Sequence, residues 1–407
     1  MRAGFSSWTA RVQPTTPRDS NLAPTVWPPR LLQAPDFCHE PRDFLGAVRT
    51  VSETRQVHFV NESLPQRVRF GTGGATAGTN AEVERLGATR VMLIAAPAEA
   101  QLADLVSSGL PVVLRHDEVV MHVPLEVAER ARAAAITHGV DLVVSVGGGS
   151  TTGLAKAVAM TTRLPIVAVP TTYAGSEATA VWGLTDANRK TTGVDPVVLP
   201  RAVVYDASLL RSLPVELSVA SGLNALAHCV DSLWAPQADP INAVFAVEGA
   251  RALNKGLPLV AKDPSGLPGI ELALYGAHLA ARAFASAGSG LHHKICHVLG
   301  GKFDLPHAQT HATVLPYVLG LNAPNAIEAA TRLAEAFGAE QALGGLQQLR
   351  RELRAPRALR DLGLQESDIP AAVEDVLAIA PASNPTPVTR QNLTALLHAA
   401  WVGEEPR

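Results

Sequence analysis

The stretch Asp141–Ser150, DLVVSVGGGS, constrains the fold of this chain more than any other. A short run of Val and Leu suits a strand buried on both faces, the environment of a parallel sheet. Three glycines follow at once, and a helix opens at Thr151. Strand, glycines and helix make a phosphate cradle: backbone N–H groups with no Cβ nearby approach an anion closely, and the helix start adds its positive dipole end. A tight strand-to-helix turn also uses glycine for geometry alone, and this run is neither a Walker loop nor a GxGxxG fingerprint.

The surrounding sequence alternates in the same way. Gln66–Gly71 reads as a strand, Asn80–Leu86 as a helix, and Val91–Ala95 and Pro111–Leu114 as short apolar strands, with Leu125–His138 at helical spacing. Strand Pro165–Val169 then delivers Pro170, Thr171, Thr172, Tyr173, Ala174, Gly175 and Ser176, a hydroxyl cluster at a strand's carboxyl end, where open α/β sheets bind ligands. A Thr/Ser-rich turn with no ligand is the other reading. No acid occurs at Ala96–Ala98 after the second strand, so nothing there excludes a ribose 2′-phosphate. Val181–Lys190 and Val203–Tyr205 look like closing strands around a turn at Asp186–Asn188.

After Pro214 the texture changes. Apolar residues recur at helical spacing through Asn224–Trp234, Ala243–Leu257, Glu271–Ser286, Ala326–Phe337, Gln341–Leu353 and Gln391–Trp401. The chain therefore divides into an α/β domain over 57–213 and an all-helical domain over 214–407. Residues 1–56, with seven prolines from Pro14 to Pro41 and no periodicity, read as a disordered extension.

Composition narrows the class. A length of 407 residues suits two domains, and 47% apolar with 17% charged residues allows large cores. A net charge of −3 argues against a general nucleic-acid or membrane-surface protein, and no apolar run reaches the roughly eighteen residues a bilayer needs. The three cysteines, Cys38, Cys229 and Cys296, are scattered, as in a reducing, cytoplasmic compartment without disulfides.

The helical half carries the chemistry. Leu291–Leu315, LHHKICHVLGGKFDLPHAQTHATVL, holds His292, His293, His297, His307 and His311 out of thirteen histidines in the chain. Residues four apart share a helix face, so His293 pairs with His297 and His307 with His311, while Gly300 and Gly301 break the first helix and Pro306 suits the start of a second. Upstream, Asn224 and His228 in SGLNALAHCVDSL repeat the spacing. Converging on one pocket, three such pairs supply metal ligands or proton donors.

In GGGSTTGLAKA from Gly147, VPTTYAGSEAT from Val169, SGLNALAHCVDSL and the histidine stretch, the chain resembles the iron-containing alcohol dehydrogenase family and, within it, the maleylacetate reductase branch. The resemblance implies a dinucleotide-binding α/β domain, an all-helical domain and an active-site cleft between them. It also implies a homodimer, and NADH- or NADPH-dependent reduction of the maleylacetate C=C bond to 3-oxoadipate, a small dicarboxylate reaction in aromatic breakdown. By position it places Gly147, Gly148, Gly149, Ser150 and Lys156 at the pyrophosphate, with Thr171, Thr172 and Ser176 near the phosphates and nicotinamide. Metal-dependent relatives bind their ion with an Asp and three His, matched here by Asn224, His228, His293 and His307, with His297 beside the nicotinamide.

Two departures bear on the metal. Asn224 replaces the only anionic ligand, and Gly153 stands where many relatives have Asp. Both lead to the expectation of a centre without catalytic iron or zinc, in which His228, His293 and His307 donate protons and stabilise charge, and His297 orients the nicotinamide or substrate. Tyr173 is a further candidate O–H donor, Asn224 and Lys294 are candidate substrate contacts, and His292 and His311 stand behind the cluster. The alternatives are a metal-dependent alcohol dehydrogenase with iron or zinc at Asn224, His228, His293 and His307, and a lyase of the dehydroquinate synthase type.

Overall fold

Val91–Ile94 and Ile166–Pro170 are apolar along their whole length, Leu142–Gly147 is apolar but for Ser145, and in the computed structural model all three are buried on both faces. The structure describes residues 58–186 and 189–406, so the extension expected over 1–56 lies outside it. In chain order the first half comprises β1 (Arg67–Phe70), α1 (Ala75–Arg85), β2 (Val91–Ile94), α2 (Ala100–Val106), β3 (Val112–His116), α3 (Leu125–Thr137), β4 (Leu142–Gly147), α4 (Gly149–Thr162), β5 (Ile166–Pro170), β6 (Val181–Asp186), β7 (Arg189–Val194) and β8 (Ala202–Tyr205). Six of these strands form one parallel sheet in the order β1-β8-β5-β4-β2-β3.

That order has a switch point between β2 and β4. From β2 the chain crosses to β3 on one side, and from β4 it crosses to β5 on the other, leaving a crevice at the strands' carboxyl ends. The glycine turn leaves β4 at this crevice, and register brings Gly147 opposite Pro170 at the head of the hydroxyl loop. Alternate β4 residues enter different cores. Val144 and Val146 pack toward the helical half, whereas Val143 packs with Met92, Ile94 and the inner faces of α3 and α4. Strands β6 and β7 correct one expectation: they close no sheet, but pair with each other as a separate antiparallel hairpin.

The second half is helical throughout: α5 (Val215–Ser232), α6 (Pro240–Lys262), α7 (Leu267–Ala287), α8 (Leu291–Phe303), α9 (His307–Asn322), α10 (Ile327–Phe337), α11 (Ala342–Glu352), α12 (Ile369–Leu377) and α13 (Arg390–Val402). Helices α5, α6 and α7 extend the core that begins under the sheet, and α8, α9, α12 and α13 enclose a second. Gly300 and Gly301 do not break α8. The helix runs through both and stops at Asp304, whose left-handed φ of 53° ends it before Pro306 starts α9. Among the described residues, no helix is long and apolar enough to cross a membrane.

Candidate active site

At the crevice, Gly147 ends β4 with φ 152°, and a Cβ there would overlap the Thr151 side chain, so only glycine lets the strand turn into α4. The Thr171 N–H donates to the Gly147 carbonyl at 3.2 Å, tying the two loops together. Gly149, Ser150, Lys156, Thr172 and Ser176 line a cavity of about 460 Å³, but Gly147, Gly148 and Thr171 do not. Thr171 turns elsewhere: its hydroxyl donates to Glu99 Oε1 at 2.9 Å, just past the end of β2.

Lys156 lies two turns into α4, away from the glycines. Its Nζ donates to Thr179 Oγ1 at 3.2 Å and to the Val181 carbonyl at 2.7 Å. Burial pulls its pKa down to about 7, against the pull of the Glu177 carboxyl.

The opposite wall is helical. Asn224 and His228 come from successive turns of α5, His293 and His297 from successive turns of α8, and His307 from the first residue of α9; all five line the cavity that the glycine turn lines. The His228 and His293 rings stack with centroids 5.0 Å apart at 16°, and Phe284 covers both at 4.8 and 4.4 Å. Gly175 brings the hydroxyl loop against this layer, where a Cβ would stand 3.5 Å from His228 Nδ1. Burial pulls His228 down to about 4 and His293 well below the ordinary imidazole range, so both rings are neutral at pH 7.

His293 Nδ1 lies 2.7 Å from Asp231 Oδ2, and Asp231 is fully buried. The same oxygen accepts the Gly290 N–H at 2.8 Å and the His293 N–H at 3.4 Å. Burial raises the Asp231 pKa while neighbouring His292 and these N–H donors oppose it. With two backbone donors already on Oδ2, the shared hydrogen belongs to the imidazole, so a neutral histidine bonded to a carboxylate describes this contact better than an ion pair.

Two further candidates fall outside the cavity. Tyr173 is fully buried in the core beneath the loop; its backbone N–H donates to Ser221 Oγ at 3.0 Å, and burial raises its phenol pKa. The loop turns this side chain inward, where apolar contact outweighs the unbonded hydroxyl. Lys294 follows His293 by one residue, about 100° around the helix, and does not line the cavity. Sequence reading also missed wall residues: Trp182, Leu217, Ser221 and Phe284 line the cavity. Behind it, His292 Nε2 lies 3.0 Å from His311 Nδ1 and 3.7 Å from Cys296 Sγ, a buried trio whose ligand atoms all lie within 4.8 Å of one another.

A parallel sheet with a glycine turn at its switch point, facing a helical wall of imidazoles, defines a dinucleotide-dependent oxidoreductase class. The family profile described as iron-containing alcohol dehydrogenase matches residues 65–207, and that of the Fe-containing alcohol dehydrogenase family, C-terminal, matches 218–401. The chain belongs to the iron-containing alcohol dehydrogenase family. It is 41% identical to maleylacetate reductase from Pseudomonas sp. (strain P51), over 86% of this chain and 100% of that one. A solved maleylacetate reductase from Rhizobium sp. strain MTP-10005 superposes with a TM-score of 0.81 at 41% identity, covering 86% of this chain and 99% of that one. The solved iron-containing alcohol dehydrogenase of Corynebacterium glutamicum is 62% identical, with a TM-score of 0.85 and coverage of 86% and 98%.

The family's iron fits the donors present in kind. Asn224 Oδ1, His228 Nδ1 and His293 Nε2 are buried on the cavity wall without a hydrogen-bond partner among the described residues. Neutral imidazoles and an amide oxygen are ligands for such an ion, which bound there with His307 would polarise a substrate oxygen. Asn224 removes the one charge from the set. The expectation of a metal-free centre therefore rests on that missing charge and on Gly153, and family membership does not support it.

Proposed function

We propose that this chain reduces maleylacetate to 3-oxoadipate, taking its hydride from NADH or NADPH bound at the glycine turn. One observation carries the reading: Asn224, His228, His293, His297 and His307 share a cavity with Gly149 and Ser150, in a chain that aligns with maleylacetate reductases over their full length. The nicotinamide supplies the hydride. As that hydride reaches the alkene carbon β to the ketone, negative charge develops on the ketone oxygen, and the neighbouring carbon needs a proton.

Burial keeps His228 and His293 neutral, and a substrate with two carboxylates reverses this by opposite-charge attraction, so binding and creation of the acid are coupled. His228, His293 and His307 then hold the oxygen and the proton, and His297 fixes the orientation of the ring or the substrate. Asn224 meets a carboxylate without repelling it, which favours this reading over an alcohol dehydrogenase that requires metal. The same reading makes the enzyme a cytoplasmic homodimer, in keeping with the free, buried thiols of Cys229 and Cys296.

The test is an absorbance assay at the nicotinamide band with maleylacetate and either NADH or NADPH. Steady cofactor consumption with one equivalent of 3-oxoadipate is expected. Absence of turnover with both cofactors would sink the proposal, and turnover of simple alcohols that tracks iron or zinc content would establish the alternative.

A further inference from the structure

Asp231 lies seven residues beyond Asn224 on α5 and touches neither the cavity nor the cofactor loop. Its surroundings are nevertheless those of a single purpose. The side chain is fully buried, and Oδ2 collects three N–H groups from the start of α8: Gly290 N at 2.8 Å, His293 N at 3.4 Å and His293 Nδ1 at 2.7 Å. The first two are backbone groups at a helix N-terminus, where a carboxylate is stabilised by unpaired donors and by the dipole. The third is the ring of a cavity residue. A carboxylate can only accept here, so the ring must donate, and that choice removes the hydrogen from Nε2.

We infer that Asp231 is a positioning residue: it holds His293 in the Nδ1–H tautomer and leaves the Nε2 lone pair facing the cavity. The second half of the statement has its own support. His293 Nε2 is buried and without a hydrogen-bond partner among the described residues, while its ring packs against both the His228 and Phe284 rings and is held at Nδ1 by Asp231. A buried nitrogen with nothing to bond is costly, and here it belongs to a residue of the cavity wall where the proposed substrate would bind. In this tautomer His293 presents an acceptor at Nε2, and Asp231 fixes the ring in the way an orienting carboxylate does in acid–base pairs. The packing permits no looser arrangement, because a Cβ on Gly290 would overlap the Asp231 carboxylate.

This role rests on the proposed reductase reading for its catalytic consequence but not for its structural content, and the test separates the two. In ¹⁵N-histidine-labelled protein, with the His293 signals identified by their loss in H293Q, the wild type should show the Nδ1–H tautomer and D231A, which has no acceptor there, should lose it. D231A should also lower kcat about 10–100-fold, with KM for NADH changed less than about 3-fold, and D231E should recover part of kcat. An Nε2–H tautomer at His293 in the wild type overturns the inference, even if D231A fails to fold. An unchanged tautomer or kcat in folded D231A overturns it equally. If maleylacetate is not turned over at all, the tautomer measurement still decides the role of Asp231.

Discussion

Lys156 Nζ lies 2.7 Å from the Val181 carbonyl oxygen, buried where helix α4 meets strand β6, and among the described residues its hydrogen-bond partners are that carbonyl and the Thr179 hydroxyl. An ammonium held by two neutral oxygens is poorly compensated for the water it has lost, which is why burial pulls its pKa to about 7. Between about 7 and the unfolded value near 10.5 the folded chain binds fewer protons than the unfolded one, so stability rises with pH across that window. Lys156→Met should be more stable than wild type at pH 7, and the gap should shrink by roughly 1 kcal/mol per pH unit toward pH 9. Urea unfolding of both proteins at pH 7, 8 and 9 measures it; a gap independent of pH would show that Lys156 is not strained.

Val123 explains why Gly153 carries no side chain. A Cβ at Gly153 would stand 3.0 Å from Val123 Cγ2, and Val123 is itself held at φ 50°, a conformation that a β-branched residue resists. Both residues line the cavity. Gly153→Asp should therefore push Val123 into the binding space. Expected outcomes are a loss of about 1–3 kcal/mol in unfolding free energy and a several-fold rise in the KM for NADH or NADPH. Steady-state kinetics with denaturant titration checks both.

Asn224 decides the metal question. Its Oδ1 is buried and unbonded on the wall shared with His228 and His293. Asn224→Asp adds the missing charge, so affinity for Zn²⁺ should rise at least 10-fold by calorimetry, and maleylacetate reduction should fall because a carboxylate on the wall repels the dianion. In parallel, wild type dialysed against chelator should keep full activity. Loss of activity on dialysis, with recovery on adding iron or zinc, rejects the metal-free expectation.

Much of the architecture was readable because it depends on local pattern. The apolar runs of β2 and, but for Ser145, of β4 appear as strands buried on both faces, and the spacing after Pro214 appears as helices in every span named from it. What failed depends on direction or distance. Tyr173 belongs to a hydroxyl-rich loop, but nothing in the loop's composition tells which way a side chain turns. Gly300 and Gly301 are helix breakers by propensity, yet packing of Leu299 and Ile295 into the second core carries α8 past them. Asp231 carries no signal of its role in the sequence because its partners lie 59 and 62 residues away, joined by the packing of α5 against α8.

Gly290 offers a way to disturb that contact without touching either partner. Its φ of −88° is open to any residue, so alanine meets no backbone strain there; the obstacle is the Asp231 carboxylate, which a Cβ would overlap. Gly290→Ala should therefore displace Asp231, free the His293 ring and cost about 1–3 kcal/mol of stability. The glycine turn lies across the cavity and is left intact, so NADH binding followed by fluorescence should change less than about 3-fold while kcat falls at least 10-fold. Gly344→Ala is the control: it lies within α11 with nothing within 4 Å of the added methyl, and alanine there should stabilise by about 0.5–1 kcal/mol. Equal kinetic effects from the two substitutions would mean that the Asp231–His293 contact has no part in turnover.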